Sequence, residues 1–238
     1  MKVKDYQQSK AATSLALTFP SPFGEGVGGR SGDRGEAILS LPTAYLAPVS
    51  YYVALAHADA AQVDQYEHYV KQTWRNRCRI AMPQGSQDLV IPVCAAPPHT
   101  PIKDIRLSDH GNWQHHHWSA LQTAYGKSPF FEYYADDFYP FYHSRQHHFL
   151  IDFNLELHQL ISDLIDLPTP LGLSDHFLDA SFSIAPSFKP YYQVFAPKLG
   201  FLPDLSIMDL LCNLGPESIL YLSCPENQGQ EVEKNTLP

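Results

Sequence analysis

The sequence describes an acidic chain of ordinary globular composition. It has 238 residues, of which 16 are Lys or Arg and 25 are Asp or Glu, so the formal net charge at pH 7 is −9. Apolar residues make up 44% and charged residues 17%, which excludes a chain that is disordered throughout. A net anion repels nucleic acid, and no apolar run approaches the roughly 20 residues that cross a bilayer. We therefore predict a soluble protein that binds no nucleic acid and inserts into no membrane.

The cysteines predict a reducing compartment. Cys78, Cys94, Cys212 and Cys224 are widely spaced, contain no C-x-x-C pair and lack the spacing of a zinc site. A chain of this length does not need disulfides to fold, so we predict a cytoplasmic location. Cys78 and Cys94 would face each other only in one register of a hairpin between them, so their pairing stays open.

The two ends of the chain differ in composition from its middle. Residues 24–35 hold six of the thirteen glycines, and such a segment cannot bury enough apolar area to offset its chain entropy. We predict that residues 1–36 are a disordered low-complexity extension, which a start site placed too far upstream would explain. Residues 37–224 are predicted to form the folded domain, and the polar residues 225–238 a flexible tail.

Strand patterns dominate the first half of the predicted domain, apart from one early helix. The apolar and turn patterns predict strands over residues 37–41, 62–66 and 102–107, a helix over 47–58, and a β-hairpin over 77–93 whose turn spans 83–87.

The second half has helical periodicity. Apolar spacing predicts helices over residues 113–125, 130–142, 148–167 and 206–214, the last with Ser206 as its N-cap. Strands that precede helices predict a mixed α/β (or α+β) fold with a small strand-rich N-terminal half, which includes the β-hairpin, and a helix-rich C-terminal half in one compact domain.

Four basic residues cluster within nine positions of this acidic chain. Lys71, Arg75, Arg77 and Arg79 share one face of an extended strand, and the first, second and fourth also share one face of a helix. Either conformation predicts a cationic stripe that holds a phosphate or carboxylate. The alternative is a solvated face where these cations pair with the nearby acids Asp64, Glu67, Asp88 and Asp104.

Polar and aromatic neighbours complete the predicted binding site. Gln72 and Asn76 would add amide groups, and Trp113 a flat surface on which a sugar or base stacks. Core packing is the alternative for the aromatic residues between 113 and 153. Glu67 would either hold the basic side chains in position or transfer a proton.

Histidines are concentrated between positions 99 and 148, which contain eight of the twelve. Consecutive helical residues point about 100° apart, so His115, His116 and His117 cannot chelate one ion from an unbroken helix. The H-E-x-x-H, G-x-G-x-x-G, P-loop and G-x-S-x-G motifs are absent. We predict no metal and no cofactor, and His117 is kept as a candidate acid or base, the alternative being a partly exposed helix-face histidine.

Several motifs together resemble the WbqC-like family over about residues 38–222. The residues that carry the resemblance are Pro42-x-x-Tyr45-Leu46-x-Pro48, Glu67-x-Tyr69-x-Lys71-Gln72-x-Trp74-Arg75-Asn76-Arg77-Cys78-x-Ile80, Leu89-Val90-Ile91-Pro92-Val93, Ile102-Lys103-Asp104-Ile105, Tyr125-Gly126-x-Ser128-Pro129-Phe130-Phe131 and Gly200-Phe201-x-Pro203-x-Leu205-Ser206-Ile207. One departure is Leu41-Pro42, where many members have Gln-Pro.

The resemblance implies a role in bacterial surface-polysaccharide biosynthesis, because the family is associated with O-antigen gene clusters. It implies a cytoplasmic transferase that acts on a nucleotide-linked or other anionic sugar precursor. Lys71, Arg75 and Arg77 would hold the anion, Asn76 would orient a polar group, and Glu67 or His117 would transfer a proton. The alternative is a non-catalytic binding or assembly factor that uses the basic stripe for an acidic partner.

Overall fold

The computed structural model describes residues 38–178, 180 and 188–227. The predicted extension (1–36) and residues 228–238 of the predicted tail lie outside the described residues. In chain order the elements are β1 (Leu39–Leu41), α1 (Val49–Ala56), β2 (Ala61–Val63), β3 (Arg77–Met82), β4 (Gly85–Val90), α2 (Trp113–Tyr125), α3 (Phe131–His143), α4 (Leu150–Leu164), β5 (Leu171–Leu173), α5 (Ala196–Leu199), α6 (Ile207–Leu214) and α7 (Ser218–Leu222).

A small parallel sheet is formed by β1, β2 and β5, in that spatial order. Ala61 of the central strand pairs with Leu39 on one side and with Leu171 on the other. Parallel neighbours require a crossover connection, and α1 supplies the one between β1 and β2. The carboxyl ends of all three strands therefore meet at one edge of the sheet.

The predicted hairpin is present as β3 and β4. Its register pairs Arg77 with Val90 and Met82 with Gly85, so the turn is shorter than the sequence indicates. Gly85 has a φ of 135°, a backbone conformation that is open to glycine and strained for other residues. The backbone N–H of Ile91 donates to the Asn76 carbonyl at 2.8 Å and continues the ladder past the strand ends.

The helices pack an aromatic core against these sheets. The largest fully buried side chains include Tyr45, Tyr52, Tyr125, Phe138 and Phe153, which come from α1 and the preceding loop and from α2, α3 and α4. Burial of rings of this size is the main apolar contribution to stability. With four of the five strands before residue 91 and most helices after it, the predicted mixed α/β class is confirmed.

The residues just before α6 are hydrogen-bonded to the loop before α1, to α1 and to the hairpin. Ser206 is its N-cap, as the sequence predicts, and the Ser206 hydroxyl also donates to the Leu46 carbonyl at 2.8 Å. The Ser206 N–H donates to the Arg79 carbonyl at 2.8 Å, and the Val49 N–H donates to the Leu205 carbonyl at 2.9 Å. These bonds hold the loop before α1, the hairpin and α6 together.

Two predicted segments have a different structure. Residues 102–107 do not form a strand: Ile102–Asp104 is a 3-10 turn, because the Ile102 N–H donates to the Glu67 carbonyl at 2.8 Å and anchors the chain there. Pro225–Asn227 of the predicted tail is also a 3-10 turn, and the Asn227 side chain is buried and accepts a hydrogen bond from the Lys189 N–H at 3.1 Å.

The cysteines and the helix lengths complete the description. All four cysteines lie in the described part of the chain and are free thiols. Cys78 is buried within β3 and Cys94 is exposed, so they do not pair. Across residues 38–178, 180 and 188–227 no helix combines the length and the apolar character needed to span a bilayer.

Candidate functional site

The segment between β2 and β3 carries most of the predicted site residues, and it crosses the carboxyl edge of the parallel sheet. Residues 71–76 form consecutive turns, and Gln72 has a positive φ of 59°. The predicted single cationic face assumes a regular strand or helix, so it does not form: Lys71, Arg75 and Arg77 lie in three different environments. Ligands of parallel sheets bind at the carboxyl edge, so this segment is a candidate ligand-binding region.

Arg75 is held by a nearly buried ion pair with Glu67. Its Nε donates to Glu67 Oε1 at 2.9 Å, its Nη2 contacts Oε2, and its Nη1 donates to the Thr73 hydroxyl at 3.3 Å. The side chains are 15% and 5% exposed, respectively. Burial raises the pKa of the Glu67 carboxyl, while Arg75 acts in the opposite direction. The positive charge of Arg75 is therefore already compensated inside the protein.

Two buried asparagines fix the path of the same turn. Asn154 of α4 donates to the Thr43 hydroxyl at 3.2 Å and to the Arg75 carbonyl at 2.8 Å. Asn76 donates to the Ile91 carbonyl at 2.9 Å. The Oδ1 atoms of both asparagines are buried and have no hydrogen-bond partner within the described residues. The structure thus places Asn76 as a link between the turn and the end of β4.

Arg77 and Arg79 share one carboxylate on the hairpin. Arg77 Nη1 lies 3.3 Å from Asp88 Oδ2, and Arg79 Nε donates to Asp88 Oδ1 at 2.8 Å. Arg77 Nη2 also donates to the Gln72 carbonyl at 2.6 Å, so Gln72 contributes its backbone to this cluster. The hydrogen bond from Arg79 holds the pKa of Asp88 below its usual value. Asp204 is a second acid that interacts electrostatically with Arg79.

Lys71 lies at an open cavity of about 290 Å³. It is exposed and forms no ion pair with any residue that the structure describes. The cavity brings together the polar groups of the 69–71 and 94–100 loops; it is lined by Tyr69, Lys71, Val93, Cys94, Ala95, Ala96, Pro97, Pro98, His99, Thr100 and Ile105. An ammonium group in a concave site with hydroxyl and imidazole neighbours can bind an anion.

His117 and Trp113 lie in the aromatic core. The Tyr45 hydroxyl and His117 Nδ1 are 2.9 Å apart, and the Trp113 indole N–H donates to the Ser108 carbonyl at 3.1 Å. The two residues are 5% and 6% exposed and pack edge to face. Burial lowers the pKa of His117 to about 4, so its imidazole is neutral at pH 7. The structure places neither residue at the Lys71 cavity.

A comparison with known proteins identifies the family. A sequence profile of the WbqC-like protein family matches residues 43–183, which is more than half of the chain. The chain belongs to the WbqC-like protein family. It is also 27% identical over 214 residues to the uncharacterised protein Rv1507c of Mycobacterium tuberculosis, covering 72% of this chain and 91% of that relative. No solved structure matches the chain.

The matched part of this WbqC-like chain contains every predicted site residue, but the structure separates them into distinct groups. Glu67 and Arg75 form one group, Arg77 and the Gln72 carbonyl meet on the hairpin, and Lys71 lies at the cavity. Their predicted catalytic and binding roles remain predictions.

The cluster around Asp64 is a further finding: this fully buried carboxylate accepts hydrogen bonds from the N–H groups of Tyr66 at 2.9 Å and of Leu178 at 2.8 Å.

Sequence reasoning did not find Tyr69, Cys94, His99 and Thr100, which share the cavity with Lys71. The run of prolines at positions 97, 98 and 101 is the signal that could have indicated a rigid loop there. Nothing in the sequence spacing indicates that this loop lies against residues 67–71 of the WbqC-like domain.

Proposed function

We propose that the protein is a transferase that binds a nucleotide-linked or other anionic sugar precursor through Lys71. The observation that carries the proposal is the position of Lys71, which is exposed at a concave cavity and unpaired within the described part of the chain. The connection to surface polysaccharide comes from the family resemblance. The geometry supports an anion-binding cavity, and the transfer reaction is the step that the resemblance adds.

The size and chemistry of the cavity favour one charged end of such a precursor. Its volume of about 290 Å³ is near the lower limit of ligand sites, which measure about 300–1,000 Å³. A phosphate or carboxylate fits beside Lys71, while the larger part of the precursor would extend over the open side. Tyr69 supplies a hydroxyl group at the same cavity, whereas the Thr100 hydroxyl already donates to the Pro97 carbonyl at 2.7 Å.

Glu67 and Arg75 are assigned a supporting role in this proposal. Their bidentate pair joins Glu67 to the consecutive turns that begin at Lys71. For proton transfer, Glu67 is favoured over the core residue His117 because Glu67 lies next to the 68–71 segment that leads to the cavity.

Ligand-dependent thermal stability tests the binding step. Purified protein is heated with uridine, guanosine and thymidine diphosphate sugars, and with inorganic pyrophosphate. A bound ligand at 100 times its dissociation constant raises the free energy of unfolding by about 2.7 kcal/mol, which gives a clear increase in Tm. Lys71→Gln should abolish the increase. Lys127→Gln, which removes one exposed positive charge outside the cavity, is the matched control and should keep it.

Donor consumption, followed by mass spectrometry with extracts as the source of acceptor, then tests the transfer step. The proposal fails if no anionic sugar stabilises the wild-type protein, or if Lys71→Gln responds as the wild type does.

A second candidate function is a non-catalytic binding factor with an acidic partner. The observation that favours it is the pairing of Arg75, Arg77 and Arg79 with carboxylates, which leaves them unsuited to clamp a small anion. The two partly exposed arginines of the hairpin, Arg77 and Arg79, would then contact an acidic surface. Poly-glutamate is a suitable probe: salt-sensitive binding that Arg79→Gln weakens, together with an absence of donor turnover, would favour this function over the transferase.

A further inference from the structure

We propose that His68 and His99 bind one divalent transition-metal ion, of the zinc type, through their Nδ1 atoms. The two residues are 31 positions apart in the sequence, and both side chains are exposed. His99 also lines the Lys71 cavity, so the ion would lie at the rim of that cavity. The proposal does not depend on the transferase function, because it concerns metal binding alone.

The distance between the two nitrogens carries the proposal. His68 Nδ1 and His99 Nδ1 are 3.4 Å apart, and the ring planes are inclined at 69°. In the absence of a metal the two imidazoles form a long hydrogen bond with each other, which a bound ion would replace. In a tetrahedral site with Zn–N bonds of about 2.0–2.1 Å, two ligand nitrogens lie about 3.3–3.4 Å apart. The observed separation therefore matches two corners of such a site.

The backbone holds both histidines in place independently of a metal. The Tyr69 N–H donates to the Thr100 carbonyl at 3.0 Å, and the Ile102 N–H donates to the Glu67 carbonyl at 2.8 Å. His68 and Pro101 form an antiparallel bridge between these two bonds. Fixed loops reduce the entropy that is lost when a ligand binds, so the site is organised in advance.

His99 occupies a strained backbone conformation. Its φ is 62°, in the left-handed region that non-glycine residues adopt uncommonly, although His, Asn and Asp adopt it more often than the rest. Strain of this kind is retained where the surroundings impose it, and it is concentrated at ligand sites. The prolines at positions 97, 98 and 101 restrict the loop on both sides of His99.

Two protein ligands leave the other coordination positions to water or to a bound anion. The part of the chain that the structure describes has no cluster of three or more His, Cys, Asp or Glu side chains that could hold a metal. The site is therefore of the open kind, and the expected affinity is below that of a closed structural zinc site. Imidazole ligands suit Zn²⁺, Ni²⁺ and Cu²⁺.

Metal titration of the full, untagged chain tests the proposal. Protein freed of metal is titrated with Zn²⁺ by calorimetry and with Co²⁺ by visible absorption, where the d–d bands report nitrogen coordination. We expect a strongest site of one ion per chain. His68→Gln and His99→Asn should each weaken it by at least about tenfold, since even residues that only support a ligand are worth 10- to 100-fold.

The choice of variants separates ligand loss from loop damage. Asn tolerates the positive φ of residue 99, so His99→Asn removes the imidazole and keeps the backbone. His115→Ala/His116→Ala is the control, because it removes another exposed histidine pair, with ring centroids 6.1 Å apart on α2, and should bind as the wild type does. The proposal is overturned if the wild type binds no Zn²⁺, or if either single substitution leaves the strongest site unchanged.

Discussion

Two ion pairs formed by the same stretch of chain lie in opposite environments. Glu67 and Arg75 meet in the interior with side chains 5% and 15% exposed, whereas Arg79 and Asp88 meet on the hairpin with 44% and 29% exposed. Burial raises the pKa of Glu67, and the hydrogen bond from Arg79 lowers the pKa of Asp88. The arginine favours ionisation of the acid in both pairs, but in the interior the effect of burial on the pKa is larger.

The interior pair mainly positions the chain, and neither pair adds much to the net free energy of unfolding. In the interior, the cost of removing two charges from water offsets their attraction, so the Glu67–Arg75 pair adds little net stability. Each partner alone would nevertheless be an uncompensated buried charge. The pair instead determines where the turn before β3 runs, which places Lys71 at the cavity. On the hairpin the charges stay partly solvated, so forming or removing this ion pair changes the free energy of unfolding only slightly.

The largest expected effect is the loss of one interior partner. Arg75→Met leaves the Glu67 carboxylate buried without its counter-charge, so the free energy of unfolding should fall by about 3–5 kcal/mol. Urea unfolding followed by circular dichroism measures the change.

The double variant Glu67→Leu/Arg75→Met is the control for this prediction. With both charges removed, most of the stability should return, because neither partner is left unpaired. If the double variant is as unstable as Arg75→Met alone, the interior pair contributes through packing, and the contrast with the hairpin disappears.

Acid unfolding extends the comparison to the buried histidines. Burial lowers the pKa of His117 and of His158 to about 4 each. Between that value and the unfolded pKa near 6.5, only the unfolded chain binds these protons, so stability falls as the pH is lowered. His158→Gln should therefore flatten the dependence of the unfolding free energy on pH by about 1.4 kcal/mol per unit between pH 6 and 4.5.

A buried acid has the opposite effect on the pH dependence of the unfolding free energy, and it serves as the control. Burial raises the pKa of Asp209 to about 6, so between pH 6 and its unfolded value the folded chain binds the extra proton and gains stability as the pH falls. Asp209→Asn should make the acid dependence steeper. Urea midpoints at several pH values, compared with wild type, measure both slopes; parallel curves for His158→Gln and wild type would contradict the assignment.

The smallest expected effect is the loss of the hairpin carboxylate. Asp88→Asn should lower the free energy of unfolding at pH 7 by only about 0.2–1 kcal/mol, because the ion pairs with Arg77 and Arg79 are solvated. Since the folded pKa of Asp88 is depressed, this contribution is present above the unfolded pKa and is lost as the pH falls through the folded pKa. High salt should also reduce it. A cost of several kcal/mol would show that this cluster behaves like the interior pair.

Regular, periodic elements could be predicted from the sequence. The helix over 113–125 has the predicted bounds, and the hairpin is present, because helical spacing and strand alternation depend on local residue types. The strand β5 was missed because Gly172 and the prolines at positions 168 and 170 are typical of a loop. Residues 102–107 were wrongly predicted as a strand, since the carbonyl of Glu67, 35 positions earlier, fixes the backbone of Ile102.

The candidate site depends on contacts that a single sequence does not contain. The argument that Lys71, Arg75 and Arg77 share a face needs one regular element, but Lys71 and Arg75 lie in turns and Arg77 begins β3. Lys71 was named from its charge, its spacing and the family motif, and the structure places it at a cavity. The approach of His99 to His68 depends on the pairing of two loops, which no spacing rule gives.

The bonds of Ser206 have a consequence for synthesis on the ribosome. Its hydroxyl reaches Leu46, 160 residues earlier, and its N–H reaches the hairpin, so the interior cannot close before the segment at α6 has been made. During translation the N-terminal half emerges with its apolar surfaces uncovered until residues near 214 have left the exit tunnel. A nascent chain with such late closure has a long period in which it can aggregate or recruit a chaperone.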